Sequence, residues 1–181
     1  LGEYFDSEHF EIENLALSGR SSLSFLKERH YQVLLEGMKA GDFLFIGFGH
    51  NDEKMEEARF TSPVGDEKTE GSFAFSLFQN YVVPTQKKGC QAILCTPIVR
   101  RPIDGEWKRE HLHRTVTNGA FAGGDYSEVI RKMGERLGIP VVDMTALTKE
   151  LYDRMGAEQT LYLHAWNSSK SASVDNTHTN E

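Results

Sequence analysis

Short, unbroken apolar runs alternate along this chain with amphipathic stretches. The runs lie at residues 43–48, at residues 92–95, and at Ile139 followed by Val141 and Val142. An unbroken run, unlike one that alternates with polar residues, is typical of a strand buried on both faces of a parallel sheet. Such strands separated by helices predict a doubly wound α/β domain, in which ligands gather at the carboxyl ends of the strands.

The amphipathic stretches predict four helices. Ser21 and Ser22 precede the first as capping residues, the second covers about residues 72–88, and Gly138 suits the end of the third. A separate segment, Ile12 to Leu17, is a candidate for a further strand. The apolar positions that predict the first, third and fourth helices are, in that order, Leu23, Leu26, Val33 and Leu34; Tyr126, Val129, Ile130 and Met133; and Leu147, Leu151 and Tyr152.

The composition fits one folded domain. Of 181 residues 39% are apolar, and 20 basic against 27 acidic residues leave a net charge of −7. These values exclude collagen-like, coiled-coil and disordered proteins, and the acidic balance argues against a nucleic-acid partner. Because no apolar run approaches the roughly 20 residues of a membrane helix, we expect no membrane partner either.

The cysteines and the opening residues bear on the compartment. Cys90 and Cys95 are too few for a disulfide scaffold and favour a reducing, cytoplasmic setting. The opening LGEYFDSEHF contains neither a basic nor an apolar segment, so no signal peptide is visible in it. Because the chain begins with Leu rather than Met, we expect its natural start to lie upstream, so secretion stays open.

Two connections are long for a compact domain and follow predicted strands. They cover residues 49–71 and 97–124, and long loops at such places usually carry function. The last fifteen residues, NSSKSASVDNTHTNE, are small and polar, which predicts a mobile loop or a frayed end.

Three short constellations lie where this layout puts an active site: Ser18-Gly19-Arg20, Gly49-His50-Asn51-Asp52 and Asp175-Asn176-Thr177-His178. An Asp three residues before a His can fix the imidazole tautomer for nucleophilic catalysis, although two solvated residues have the same spacing. A glycine amide and an Asn carboxamide can donate to a developing oxyanion, although each residue is also common in plain turns.

Taken together and in this order, the motifs resemble those of the SGNH/GDSL hydrolases, and within them the rhamnogalacturonan acetylesterase family. The matching segments are LALSGRSS (15–22), FGHND (48–52), TPIVRR (96–101), IPVVDM (139–144) and DNTH (175–178). The resemblance implies a flavodoxin-like three-layer α/β/α sandwich with a parallel sheet. It also implies a carbohydrate esterase that removes O-acetyl groups from pectic, rhamnogalacturonan-type polysaccharide or its oligosaccharides, with no cofactor and no metal.

The family pattern assigns roles to residues of this chain. It implies that Gly19 and Asn51 donate to the oxyanion and that Asp175 and His178 complete a catalytic triad. His50 and Asp52 belong to the same block as Asn51, and we interpret them as supports of that loop. The resemblance gives no oligomeric state.

The segment that opens the family pattern is absent from residues 1–181. The family opens with a strand that ends in Gly-Asp-Ser, whose serine is the nucleophile, whereas this chain begins just before the family's second strand and stops short of its closing helix. We therefore expect residues 1–181 to be a single domain truncated at both ends, without its first strand and last helix, and the nucleophile to lie upstream of Leu1. Four serines lie near the first motif, but nothing in the sequence places any of them on the strained turn that exposes a nucleophilic serine. They are Ser18, Ser21, Ser22 and Ser24.

Other polar residues in the second long loop are candidates for substrate contacts. Arg100 and Arg101 follow a strand and can bind galacturonate carboxylates, or they form surface ion pairs. Trp107 can stack on a sugar ring, or it anchors its own loop. His111 and His113 are interpreted as exposed loop histidines, with titration in the cleft as the alternative.

Two alternative functions stay open at this stage. The first is a catalytically inactive, carbohydrate-binding relative or fragment that keeps the cleft and lacks the nucleophile. The second is a metal-dependent phosphoesterase in which residues 49–52, His164, Asp175 and His178 are ligands, although the paired aspartate motifs of such a site do not occur.

Overall fold

The computed structural model describes residues 4–6, 8–115, 120–166 and 174–179. Its main sheet has three parallel strands in the order β1 (Phe43–Gly47), β2 (Gln91–Cys95) and β3 (Val141–Val142). A separate antiparallel pair consists of β4 (His164–Trp166) and β5 (Val174–Thr179). The parallel α/β class that the apolar runs predict is therefore confirmed.

Helices fill the connections between the parallel strands. A 3-10 turn at Ser24–Lys27 precedes α1 (Arg29–Gly37). The predicted second helix is one continuous run of α2 (Phe73–Leu77), a π-helical turn (Phe78–Val82) and α3 (Val83–Lys87). Asp125 and Asp143 accept hydrogen bonds at the N-termini of α4 (Tyr126–Leu137) and α5 (Met144–Gln159), as expected of capping aspartates.

The predicted first helix is divided into two pieces. Glu28 is extended between the 3-10 turn and α1, and its carboxylate binds the guanidinium of Arg20 at 2.5 Å. Ser21 accepts from the amide of Ser24, as a capping residue does, but the hydroxyl of Ser22 is used elsewhere. The continuous helix that the leucine spacing predicts is wrong because this ion pair and these local hydrogen bonds interrupt it.

One face of the parallel sheet carries the hydrophobic core. The pairing register puts Leu44 and Ile46 of β1 on the same face as Ala92 and Leu94 of β2. Helices α1, α2 and α4 pack on this face, and each of them contributes side chains to the core cluster. The largest fully buried side chains of this cluster are Phe73, Leu77, Val82, Leu94, Tyr126, Ile130 and Met133.

The opposite face of β1 is open to solvent. Phe43 is 52% and Phe45 is 48% exposed, so the expectation that this strand is buried on both faces is wrong. The cause is its position, since β1 is an edge strand of the described sheet and no described helix covers these two rings.

Two further expectations about strands are corrected. Ile12 to Leu17 forms no strand, because no described strand lies beside it to complete a hydrogen-bonded ladder. Residues 174–179 of the polar end form β5, whereas a loop or a frayed end is predicted there; residues 167–173, 180 and 181 lie outside the described residues.

Among the described residues, no helix combines the length and the apolar character that crossing a membrane requires.

Replacement of Gly134 in α4 by Ala tests the packing of this helix on the sheet. A Cβ at Gly134 would lie 2.2 Å from Cγ2 of Val141 and 2.9 Å from the carbonyl oxygen of Ile139. We expect Gly134→Ala to lower the free energy of unfolding by about 1–3 kcal/mol, measured by urea denaturation. Gly37→Ala is the matched control, because a Cβ there meets nothing within 4 Å, and it should be neutral or slightly stabilising. Equal effects at the two positions would contradict this account.

Candidate active site

Asp175 and His178 form a carboxylate–imidazole pair on β5. Oδ2 of Asp175 lies 2.5 Å from Nδ1 of His178, and Oδ1 accepts the backbone amides of Thr177 at 2.8 Å and His178 at 3.2 Å. Burial raises the pKa of Asp175, but the imidazole and the two amides outweigh it and hold this pKa below its usual range. The carboxylate is therefore ionised and fixes the orientation of an exposed imidazole.

His164 contacts the backbone of both members of this pair. Its Nδ1 lies 2.9 Å from the carbonyl oxygen of Asp175 and 3.0 Å from that of His178, so this nitrogen carries the proton and donates it. The other ring nitrogen, Nε2, lies 2.7 Å from the hydroxyl of Tyr152 and accepts from it. Burial lowers the pKa of His164, which favours this neutral tautomer. The side chain is buried and joins α5 to β5.

Arg101 binds Asn176, which lies between Asp175 and His178 in β5. It is 5% exposed, and its guanidinium donates to Oδ1 of Asn176 at 2.8 Å, to the carbonyl oxygen of Ala157 at 2.6 Å and to Oγ1 of Thr160 at 3.1 Å. Its backbone amide donates to the carbonyl oxygen of Asn176 at 2.8 Å. A guanidinium used in this way is not available to a substrate carboxylate, so the predicted substrate contact does not fit Arg101.

Gly19 and Asn51, the residues predicted to bind the oxyanion, are connected through Arg20, the residue after Gly19. Nδ2 of Asn51 donates to the carbonyl oxygen of Arg20 at 3.3 Å, which brings the carboxamide beside the Gly19–Arg20 turn. Gly19 has a φ of 76°, a conformation that side-chain-bearing residues rarely adopt. A backbone amide and a carboxamide on adjoining loops can together donate to an oxyanion.

A buried carboxylate, Asp52, connects the loops of this site. It is fully buried and accepts from the amide (3.0 Å) and hydroxyl (2.5 Å) of Ser22, from the hydroxyl of Thr61 at 3.0 Å and from the amide of Gly49 at 3.1 Å. The hydroxyl of Tyr126 donates to the carbonyl oxygens of both Asp52 and Thr61. These contacts are those of a loop support.

His50 belongs to a second buried cluster behind the same loop. The Nε2 atoms of His50 and His113 lie 2.9 and 2.6 Å from the carbonyl oxygen of Ile98, so both rings donate to it, and their centroids are 4.4 Å apart. Burial, together with the charges of His113 and Arg100, lowers the pKa of His50 to about 3. Glu53 contacts Nδ1 of His113 at 3.3 Å and forms an ion pair with Arg100. His113 is thus fully buried and is not the exposed loop histidine that the sequence predicts.

The side chains of Arg100 and Trp107 also bind other residues of the protein. The guanidinium of Arg100 binds Glu53 and donates to the carbonyl oxygen of Glu110 at 2.8 Å, which does not fit the predicted contact with substrate. Nε1 of Trp107 donates to Asp153 at 2.6 Å, and Nζ of Lys149 lies 4.9 Å from the centre of its ring. Trp107 therefore anchors its loop on α5, which is the alternative to stacking on a sugar.

Two adjacent arginines connect the halves of the site. Arg100 binds Glu53, two residues after Asn51, and Arg101 binds Asn176, between Asp175 and His178. Sequence reasoning missed this role, and also Arg59, whose guanidinium lies 3.4 Å from Oδ1 of Asn51. Among the described residues no three His, Cys, Asp or Glu side chains come together as metal ligands, and His50 and His164 serve the separate contacts above.

No protein-family model matches this chain. It is 31% identical over 170 residues to the rhamnogalacturonan acetylesterase RhgT of Bacillus subtilis, covering 92% of this chain and 62% of that protein. It is 28% identical over 171 residues to the rhamnogalacturonan acetylesterase of Emericella nidulans, covering 87% of this chain and 65% of that protein. The chain thus spans less than two thirds of either relative.

A solved structure has the same fold. The crystal structure of the protein YxiM of Bacillus subtilis superposes with a TM-score of 0.67 at 21% identity, covering 90% of this chain and 41% of that one. The chain therefore shares the α/β fold of that protein. In sequence it is related to the rhamnogalacturonan acetylesterases of Bacillus subtilis and Emericella nidulans, as the five sequence motifs predicted.

The pH dependence of stability tests the burial of Asp52. Burial raises the pKa of this carboxyl from 3.8 to about 6, against the opposing effect of its hydrogen bonds from Ser22, Thr61 and Gly49. Between these values the folded protein binds a proton that the unfolded chain has lost, so stability falls as the pH rises from about 4 to about 6. We expect this loss to be about 3 kcal/mol and to be absent from Asp52→Asn, measured by urea denaturation at pH 4 and pH 7. Parallel pH profiles of the two proteins would contradict it.

Removal of the Arg101 guanidinium tests how β5 is held. Arg101→Met deletes three hydrogen bonds of a buried cation, including the one to Oδ1 of Asn176, so we expect the free energy of unfolding to fall by about 3 kcal/mol. Amide hydrogen exchange should quicken first at Thr177 and His178. Arg154→Met is the control, because Arg154 forms an exposed ion pair with Glu150 and should change stability by less than about 0.5 kcal/mol. An Arg101→Met protein as stable as the control would refute this role.

Proposed function

We propose that this chain is the larger part of a carbohydrate esterase. The enzyme removes O-acetyl groups from pectic, rhamnogalacturonan-type polysaccharide or oligosaccharides by a Ser-His-Asp mechanism. The observation that carries the proposal is the 2.5 Å contact between Asp175 and an exposed His178, in a chain related to rhamnogalacturonan acetylesterases.

Four described residues take part in this mechanism. His178 takes the proton of the serine hydroxyl as the serine attacks the acetyl carbonyl, and Asp175 stabilises the imidazolium that forms. The amide of Gly19 and Nδ2 of Asn51 donate to the tetrahedral oxyanion. As the bond between the acetyl carbon and the sugar oxygen breaks, His178 gives the proton to that oxygen, which leaves as a hydroxyl. The acetyl-enzyme that remains is hydrolysed by water to acetate.

The serine of this mechanism belongs to a segment upstream of Leu1. Support comes from β1, whose open edge and exposed Phe43 and Phe45 suit the addition of one more strand. Further support comes from the serines near the Gly19 turn, because the hydroxyl of Ser22 is bound to Asp52 and that of Ser21 to Ser24.

Labelling with a fluorophosphonate, which reacts with activated serines, tests this assignment. In the full-length protein we expect one adduct on a serine upstream of Leu1, and no adduct on a protein made of residues 1–181. His178→Ala should prevent labelling and lower the rate of acetate release by about 10⁴-fold, because the serine loses its base. Exposed His30→Ala is the control and should retain both.

Other labelling results would decide between the alternatives. An adduct on a serine within residues 1–181 would refute the upstream nucleophile. No adduct and no acetate release from the full-length protein would favour an inactive, carbohydrate-binding relative.

A further inference from the structure

We propose that Arg59 is a positioning residue that fixes the orientation of the Asn51 carboxamide in the oxyanion site. The inference rests on the proposed function, in which Asn51 donates to the oxyanion. Arg59 lies in the long loop after β1, and nothing in its sequence context marks it as part of a site.

The chemistry of the two contacts of Asn51 selects one orientation of its amide. A carboxamide has nearly the same shape when its oxygen and nitrogen are exchanged, so its partners decide which end points where. The guanidinium of Arg59 only donates, so the atom 3.4 Å from its NH1 must be the oxygen Oδ1. The carbonyl oxygen of Arg20 only accepts, so the atom 3.3 Å from it must be Nδ2. Both partners therefore direct the donating end of Asn51 towards the Gly19 turn.

The backbone of the loop brings Arg59 to this place. The amides of Arg59 and Phe60 donate to the carbonyl oxygen of Glu56 in a tight turn. Immediately afterwards Thr61 is tied to Asp52, through its amide at 3.1 Å and its hydroxyl at 3.0 Å. Because Asp52 follows Asn51 directly, the loop closes on itself with Arg59 beside Asn51.

The charge of Arg59 suits this position. Its side chain is 32% exposed, and its ion partner Glu56, at 3.2 Å, is itself 58% exposed. A cation on the oxygen of a carboxamide polarises it and strengthens the donors on its nitrogen. Negative charge develops at the oxyanion, so a cation nearby also stabilises it more than the neutral ester.

The guanidinium groups of the other arginines near the site bind partners other than Asn51. Arg20 is bound to Glu28 at 2.5 Å, Arg100 to Glu53, and the guanidinium of Arg101 to α5 and β5. Of these four arginines, Arg59 is the one whose guanidinium contacts a predicted oxyanion donor.

A double-mutant cycle in the full-length protein tests the proposal. The variants are Arg59→Met, Asn51→Ala and the two combined, assayed with acetylated rhamnogalacturonan oligosaccharides and with the uncharged ester 4-nitrophenyl acetate. We expect Arg59→Met to lower kcat about tenfold on both substrates with little change in KM, and the double variant to be no slower than Asn51→Ala alone. Arg59→Lys keeps the charge and should recover part of kcat, while Arg154→Met should match the wild type.

Three outcomes would overturn the proposal. A rise in KM confined to the acidic oligosaccharide, with kcat retained, would make Arg59 a substrate-binding residue. Losses that multiply in the double variant would show that Arg59 acts independently of Asn51. Arg59→Met with wild-type kcat on both substrates would leave it no role in the site.

A spectroscopic measurement separates this inference from the proposed function. In the full-length protein, Arg59→Met should shift the side-chain amide resonances of Asn51, and Arg154→Met should not. Unchanged Asn51 resonances would refute the positioning role. If the full-length wild type hydrolyses no acetyl ester, the proposed function fails, and the Asn51 resonances alone then decide the role of Arg59.

Discussion

The burial of one carboxylate holds the loops of this protein in place. Asp52 accepts hydrogen bonds from Ser22, in the segment before α1, and from Gly49 and Thr61, in its own loop after β1, and Tyr126 of α4 completes the network. A buried carboxylate is costly unless it is fully paired, so any movement of one segment leaves a charge unsatisfied. The hydrogen bonds that compensate the burial of Asp52 therefore fix the loop that contains the neighbouring Asn51.

A second frame, built on Arg100 and Arg101, couples this loop to β5. Both side chains follow β2, one binding Glu53 and the other Asn176. These two residues are adjacent in sequence, so one short segment after β2 contacts both halves of the site. The Asp175–His178 pair and the Asn51 loop are thus held by a common backbone.

Much of the fold could be predicted from periodicity, and less of the site. The apolar runs at β1 and β2 and the spacing of Tyr126, Ile130 and Met133 identify elements because backbone period and burial act locally. The inward direction of Arg101 depends on Asn176, 75 residues later in the chain, and no local pattern contains such a contact. Ile12 to Leu17 illustrates the same limit, since a strand requires a neighbour that its own residues do not specify.

The open edge of β1 has a consequence for the behaviour of the protein in solution. In the described part of the chain, β1 is an edge strand with two solvent-facing phenylalanines, and such an edge is a template on which other extended chains assemble. We therefore expect residues 1–181 prepared alone to self-associate as their concentration rises, and a peptide that pairs with this edge to act as a solubilising partner.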